Sequence, residues 1–171
     1  MKYFYRQAKK QDLAEIMRIY ESAQSFMEAN GNPQWPKGFP DETDVKWGIA
    51  GGVLYAVTAE NGEIAGVFSV LGYDRDYDEI DGAWIGEGKY LAVHRVATAE
   101  SYRGRGAAKF IVNVAGNEIA KARKCKSVRM DTHEKNAPMR GLLKAQGFTE
   151  CGVITLIRDG TQRIAFEKIL K

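Results

Sequence analysis

The chain has 171 residues, 44% hydrophobic and 27% charged, the balance of an ordinary globular chain, long enough to bury about two-thirds of its unfolded surface without disulfides or metals. Its net charge of +3 suits an anionic ligand, but scattered basic residues do not make the footprint of a dedicated nucleic-acid binder. Two cysteines, Cys125 and Cys151, are too few for a disulfide framework or metal cluster, no run approaches about 18 apolar residues, and Met1 to Gln11 lacks the apolar core of a leader, so a reduced, cytoplasmic, membrane-free protein of one domain over residues 1–171 is expected.

In chain order, Tyr3 to Ala8 reads as a first strand. Asp12 to Ala29 reads as a helix whose apolar residues, Leu13, Ile16, Met17, Tyr20, Ala23 and Met27, recur at intervals that define one buried face. Asn30 to Pro40 holds three of the four prolines and breaks regular structure, and a short helix is expected from Asp41 to Ala50. Val53 to Ala59 and Ile64 to Leu71 are β-branched runs joined by Glu60-Asn61-Gly62-Glu63, whose Asn-Gly step predicts a hairpin. Tyr73 to Gly88 is polar and acidic and reads as a long loop before a central strand, Tyr90 to Thr98.

That strand runs into a glycine-arginine turn, Arg103-Gly104-Arg105-Gly106-Ala107-Ala108, which opens a helix with apolar residues at Ala107, Ile111, Val114, Ala115, Ile119 and Ala122. Unpaired amides of a first helical turn, backed by the helix dipole, favour an anion, and Arg103, Arg105 and Lys109 add charge-assisted hydrogen bonds. A P-loop would need Gly-Lys-Ser or Gly-Lys-Thr, and a dinucleotide fingerprint would need Gly or Ala at Lys109 and an acid near Arg123 to Lys126. Neither is present. Ser127 to Thr132 reads as the next strand. Asn136 suits a helix N-cap, Pro138 tolerates the first turn, and Gly147 suits the residue just past the helix. Thr149 to Leu156 and Arg163 to Lys168 read as a closing antiparallel pair. Helices between the early strands and a late hairpin argue for a mixed α/β sheet.

The Arg103-x-x-Gly106-x-Ala108 spacing, followed by the Asn136 to Gly147-Phe148 arrangement, resembles the GNAT superfamily of N-acetyltransferases over nearly the whole chain. The resemblance implies a mixed, mostly antiparallel seven-stranded sheet flanked by helices, with a central strand pair that splays apart. It implies acetyl-coenzyme A as acyl donor, with its pantetheine arm on the backbone of Val96, Ala97 and Thr98. The pyrophosphate would lie on Arg103, Gly104, Arg105, Gly106, Ala107 and Ala108, with Asn136 a further cofactor residue. Direct attack by a primary amine, of small-molecule type, is the expected reaction, and it needs no metal. A non-catalytic coenzyme A-binding or regulatory module and a peptide or protein N-acetyltransferase remain alternatives. The acceptor's identity, acyl selectivity and oligomeric state, homodimer included, are open.

The catalytic residues are less evident. An alkylammonium, with a pKa near 10.4, must lose a proton before it attacks. His94 on the central strand faces the same side as Tyr90 and Ala92 and is the candidate base, against the alternative of a hydrogen-bonded core histidine. Tyr90 stands where several family members carry a glutamate base, and Leu143, seven residues after Asn136, where many carry a tyrosine acid. Trp35 and the acidic stretch from Asp74 to Asp81 are candidates for attracting a cationic acceptor.

Overall fold

The computed structural model describes all 171 residues. The chain divides into two compact units, each made of two stretches: Met1–Val70 with Arg95–Ile111, and Leu71–His94 with Val112–Lys171. The strands β1 (Tyr3–Gln7), β2 (Leu54–Ala59), β3 (Ile64–Leu71), β4 (Asp81–Gly82), β5 (Tyr90–Thr98), β6 (Ser127–Thr132), β7 (Thr149–Thr155) and β8 (Gln162–Ile169) hydrogen-bond in the order β1-β2-β3-β5-β6-β8-β7-β4, a mostly antiparallel mixed α/β sheet with a parallel β5–β6 pair. No helix is long and apolar enough to cross a membrane.

The first unit holds β1 (Tyr3–Gln7), α1 (Leu13–Ala29), α2 (Glu42–Ala50), β2 (Leu54–Ala59) and β3 (Ile64–Leu71), then the end of β5 (Tyr90–Thr98) and α3 (Ala107–Phe110). Ile16, Ile19, Tyr20 and Ala23 form the buried face of α1, close to the face read from the sequence. Asp41 and Asp44 exchange side-chain-to-amide hydrogen bonds of 2.9 and 3.0 Å, a capping box that starts α2 one residue after Asp41. The Asn61-Gly62 step closes the β2–β3 hairpin, with Gly62 in the left-handed region that such a turn requires. Gly66 in β3 admits β5 closely, since a Cβ there would lie 3.0 Å from the carbonyl oxygen of Ala97.

The second unit holds β4 (Asp81–Gly82), the start of β5, α4 (Gly116–Ala122), β6 (Ser127–Thr132), α5 (Ala137–Ala145), β7 (Thr149–Thr155) and β8 (Gln162–Ile169). The Asn136 side chain accepts from the Met139 amide at 3.3 Å and caps α5, as its position in the sequence predicts. Gly147 (φ +83°) ends the helix, its amide bonded to Lys144 O and that of Phe148 to Leu143 O, a Schellman motif whose apolar pair, Leu143 and Phe148, is buried.

Three expectations need correction. The sheet has eight strands rather than seven, because Asp81 and Gly82 add a two-residue strand beside Val153 and Gly152. That pairing depends on two glycines, for a Cβ on Gly82 would come within 2.2 Å of Cys151 O. The helix after the glycine-arginine turn is interrupted by a π-helical segment, Ile111–Ala115: Ala107, Ile111, Ala115 and Ile119 are buried as read from the sequence, but the face widens to Val112, Gly116 and Ala120, and Ala122 is exposed.

Tyr73 to Gly88 is the third correction. It is a folded cover on the sheet of the second unit, not a plain loop. Tyr77, within a 3₁₀ turn at Arg75–Tyr77, is buried with Tyr90, Ala92 and Ile154, and the Trp84 indole donates to Tyr77 O at 2.9 Å. Glu167, fully buried on β8, accepts from the amides of Ile85 (2.6 Å) and Gly86 (3.0 Å), from Ser127 Oγ (2.6 Å) and from Arg129 Nε (2.9 Å). The Arg129 guanidinium lies 4.2 Å from both the Trp84 and Tyr90 ring centres. Burial pushes the Glu167 carboxyl up, but these donors outweigh it and hold it below the ordinary range.

Glu167→Gln should therefore destabilise by about 3 kcal/mol, because it leaves Arg129 buried beside a neutral partner. A melt should fall by about 10 °C. Because the folded-state pKa is depressed, the carboxylate's contribution is complete above the unfolded value of 4.5 and fades as pH falls through the lower folded one. Wild type and variant should thus converge in acid. A melt equal to wild type at neutral pH would refute this role.

Candidate active site

β5 changes direction in its middle. Its parallel ladder with β6 covers Tyr90↔Ser127, Leu91↔Val128 and Ala92↔Arg129, and Arg95 then takes a left-handed conformation (φ 53°) uncommon for a residue with a side chain. Tyr20 from α1 holds this kink by donating to Arg95 O at 3.1 Å, and the Arg95 side chain lies 3.6 Å from Asp44 and 5.0 Å from the Phe39 ring centre. Val96, Ala97 and Thr98 follow, with Ala97 buried and its neighbours half-buried.

In the second unit, the register that sets Tyr90 beside Ser127 brings Asp131 level with His94 when carried on four residues. His94 Nδ1 lies 3.5 Å from Asp131 Oδ1, and Nε2 lies 2.6 Å from Asp74 Oδ2. Tyr77 OH donates to Asp131 Oδ1 at 2.7 Å. Asp74 begins the 3₁₀ turn, and its Oδ1 accepts from the Asp76 amide at 2.9 Å. Burial pushes the Asp74 carboxyl up, but the hydrogen bond and charge of His94, with the Asp76 amide, bring it below the ordinary range.

Tyr90 and His94 share one face, as strand alternation predicts, and both reach Asp74. The Tyr90 hydroxyl accepts from the Asp74 amide (2.9 Å) and donates to its carbonyl (3.2 Å). Burial raises the Tyr90 phenol above its usual pKa, which keeps it neutral and in this role. Asp74 and Asp131, as partners of His94, and Tyr77, as partner of Asp131, do not stand out in the sequence. The one available signal is a carboxylate, Asp131, inside the β6 strand Ser127–Thr132.

The glycine-arginine turn lies in the first unit and is held from outside. Tyr3 OH donates to Arg105 O at 2.9 Å, while the Arg103 guanidinium donates to Ser22 O (2.9 Å) and Oγ (2.6 Å) and sits 4.7 Å from the Phe26 ring centre. Gly104 (φ +71°) and Gly106 (φ +90°) both need the left-handed region, and no atom lies within 4 Å of a Cβ built on either. No side chain caps the helix start at Ala107, while Arg105 and Lys109 are exposed. Uncapped amides, open space and exposed cations together suit a pyrophosphate. Of the two arginines in the turn, Arg103 is committed to α1 and Arg105 is exposed.

The remaining candidates have structural partners. Trp35 is half-buried with its ring edge-on to Tyr20 and Phe39. Asp76 Oδ1 accepts from the Ile157 amide at 2.9 Å, and Asp78 accepts from Tyr73 OH. Asp76, Asp78, Glu79 and Asp81 line an open groove of about 650 Å³ in the second unit. The chain's second histidine, His133, lies just past β6, and its Nδ1 accepts from the Lys135 amide at 3.1 Å. Leu143 is fully buried, and burial raises both thiols, Cys125 and Cys151, above their ordinary pKa.

A sequence model of the Acetyltransferase (GNAT) family matches residues 13–148. The crystal structure of a GNAT family acetyltransferase from Streptococcus agalactiae is 30% identical, with a TM-score of 0.87, over 99% of this chain and 96% of that one. A GNAT family acetyltransferase from Listeria monocytogenes (19% identity, TM-score 0.73, 98% and 95% covered) and a ribosomal-protein-alanine N-acetyltransferase from Brucella melitensis (19%, 0.67, 98% and 99%) share the fold. No curated protein sequence matches the chain. With the family's model spanning most of its length, this chain belongs to the GNAT acetyltransferases.

Proposed function

We propose that the protein is an acetyl-coenzyme A-dependent N-acetyltransferase, cytoplasmic, acting on a small primary amine by direct attack. The observation that carries this reading is the imidazole of His94 held between two carboxylates, Asp74 and Asp131, on the strand that leads to an uncapped glycine-arginine turn. The chain crosses between its two units at residues 70/71, 94/95 and 111/112, so neither is a continuous piece and the whole chain is taken as one domain. Two free cysteines agree with a reducing compartment.

The coenzyme supplies an activated thioester. Its pyrophosphate would take the amides of Gly104, Gly106, Ala107 and Ala108 and the exposed Arg105 side chain, with Arg103, its guanidinium held by Ser22, shaping the turn. The backbones of Val96, Ala97 and Thr98 are assigned to the pantetheine amides, and Asn136 is a further contact. An amide at the His94–Arg95 kink would donate to the carbonyl oxygen as negative charge develops there. His94 takes a proton from the incoming ammonium, and the freed lone pair forms the N–C bond. The C–S bond then breaks with its electron pair leaving on sulfur, the nitrogen's second proton balances the thiolate, and one net proton leaves through His94. A thiol pKa near 8.5 makes that departure feasible without a tyrosine at Leu143.

Leu143 and the neutral, hydrogen-bonded Tyr90 favour the second reading, a coenzyme A-binding module without turnover. Coenzyme A release measured across an amine panel separates the two. Release with at least one amine supports the enzyme, and binding without release across the panel supports the module.

The acidic groove motivates a cationic acceptor. Asp76→Asn with Asp78→Asn keeps oxygens for the Ile157 amide and Tyr73 hydroxyl while removing both charges. It should raise the amine KM several-fold, added salt should do the same, and acetyl-coenzyme A affinity should hold. An amine KM indifferent to both changes would reduce these carboxylates to their structural hydrogen bonds.

A further inference from the structure

We infer that Asp74 is a positioning residue that fixes neutral His94 as the Nε2–H tautomer, leaving Nδ1 to take the proton, and that Asp131 beside Nδ1 is the carboxylate that receives the acceptor's ammonium group. The second clause rests on the proposed transfer to an amine, whereas the first concerns the protein alone.

The geometry separates the two ring nitrogens. Nε2 is buried and lies 2.6 Å from Asp74 Oδ2, an ion-pair distance that two facing lone pairs would resist and that a proton on Nε2 beside a carboxylate relieves. Asp74 is itself fixed, by the Asp76 amide on its other oxygen and by Tyr90 on its backbone. Nε2 is thus the anchored nitrogen. Nδ1 lies 3.5 Å from Asp131 Oδ1, longer than a good hydrogen bond, and that oxygen already accepts from Tyr77 OH at 2.7 Å. A neutral imidazole carries one N–H, so a proton on Nε2 leaves the lone pair on Nδ1.

A bound ammonium bridging these groups would donate one N–H to Nδ1 and another to the Asp131 carboxylate. The carboxylate lowers the cost of bringing a cation there, and the imidazole removes its proton. Tyr77 then acts through Asp131, holding the carboxylate in line. Asp74 and Asp131 face His94 directly, the Tyr77 ring lies 5.7 Å away, and Tyr90 reaches it through Asp74. From β8, the buried cation of Arg163 acts on Asp131. The ammonium is thereby recognised by the same pair that deprotonates it, which selects primary amines over neutral acceptors.

Imidazole ¹⁵N shifts followed against pH on the full chain test the first clause, with His133→Gln assigning the two histidines. His94 should appear as Nε2–H when neutral. Asp74→Asn, whose amide oxygen can still accept from Nε2–H, should keep that tautomer and lower the His94 midpoint by about one pH unit or more, since a stabilising anion is lost. Asp74→Ala, with a melt to confirm folding, should lose the tautomer preference. Asp131→Asn should keep the tautomer and raise the amine KM about tenfold, with a smaller change in kcat. An Nδ1–H tautomer in the wild type, or a midpoint unmoved by Asp74→Asn, overturns the positioning role. An unmoved KM in Asp131→Asn overturns the ammonium site. Nε2–H with the expected midpoint shift but no turnover of any amine upholds Asp74 and overturns the proposed reaction instead.

Discussion

Gly106→Asp should lower acetyl-coenzyme A affinity by on the order of 100-fold or more, the equivalent of about 3 kcal/mol. The substitution sets a carboxylate at an uncapped helix start, where backbone amides and the helix dipole favour a pyrophosphate and the new side chain would compete for those amides. Gly106 also sits at φ +90°, so any side chain strains the turn, although no protein atom lies within 4 Å of the added Cβ. Gly106→Ala separates the two effects. It should cost about 1 kcal/mol of stability and lose less affinity than the aspartate. Calorimetric titration beside a thermal melt reads both quantities, and unchanged affinity in a folded Gly106→Asp protein would remove the turn as the cofactor site.

His94→Ala should lower kcat/KM by about 10²–10⁴, the usual contribution of a positioned general base, while coenzyme affinity changes little. His94→Gln is the sharper variant, because its amide can still donate to Asp74 but cannot take a proton at neutral pH. The two variants should be comparably slow, and both should lose the acidic limb of the pH–rate profile, which in the wild type reports protonation of the base. A near-normal rate with an unaltered profile would make His94 a packing and hydrogen-bonding residue between two aspartates.

These two predictions differ in how far the sequence supports them. The glycine-arginine turn is contiguous, and so is the Asn136 to Phe148 segment, whose cap, helix and Schellman ending form as their residues require. Helix α1 and the β2–β3 hairpin were equally legible, because periodicity and an Asn-Gly step act within a few residues of chain. The His94 cluster is of another kind. His94, Asp74 and Asp131 are far apart in sequence, and the acidic stretch containing Asp74 carries no periodic signal. Its fold comes instead from contacts with the sheet, with Tyr77 buried against Tyr90 and Glu167 accepting the amides of Ile85 and Gly86.

By itself, then, the sequence determined the family, the helix and strand order, and the glycine-arginine turn, since each rests on short-range spacing and on the backbone freedom of particular residues. It singled out His94 without deciding between base and core. Tertiary structure decided the eighth strand, the π-helical segment, the commitment of Arg103 to Ser22 and the partners of His94. The physical reason is register. Tyr90 pairs with Ser127, and this offset brings Asp131 level with His94. A slip of one residue would turn Asp131 to the opposite face of the sheet, and no local preference of either strand distinguishes those two arrangements.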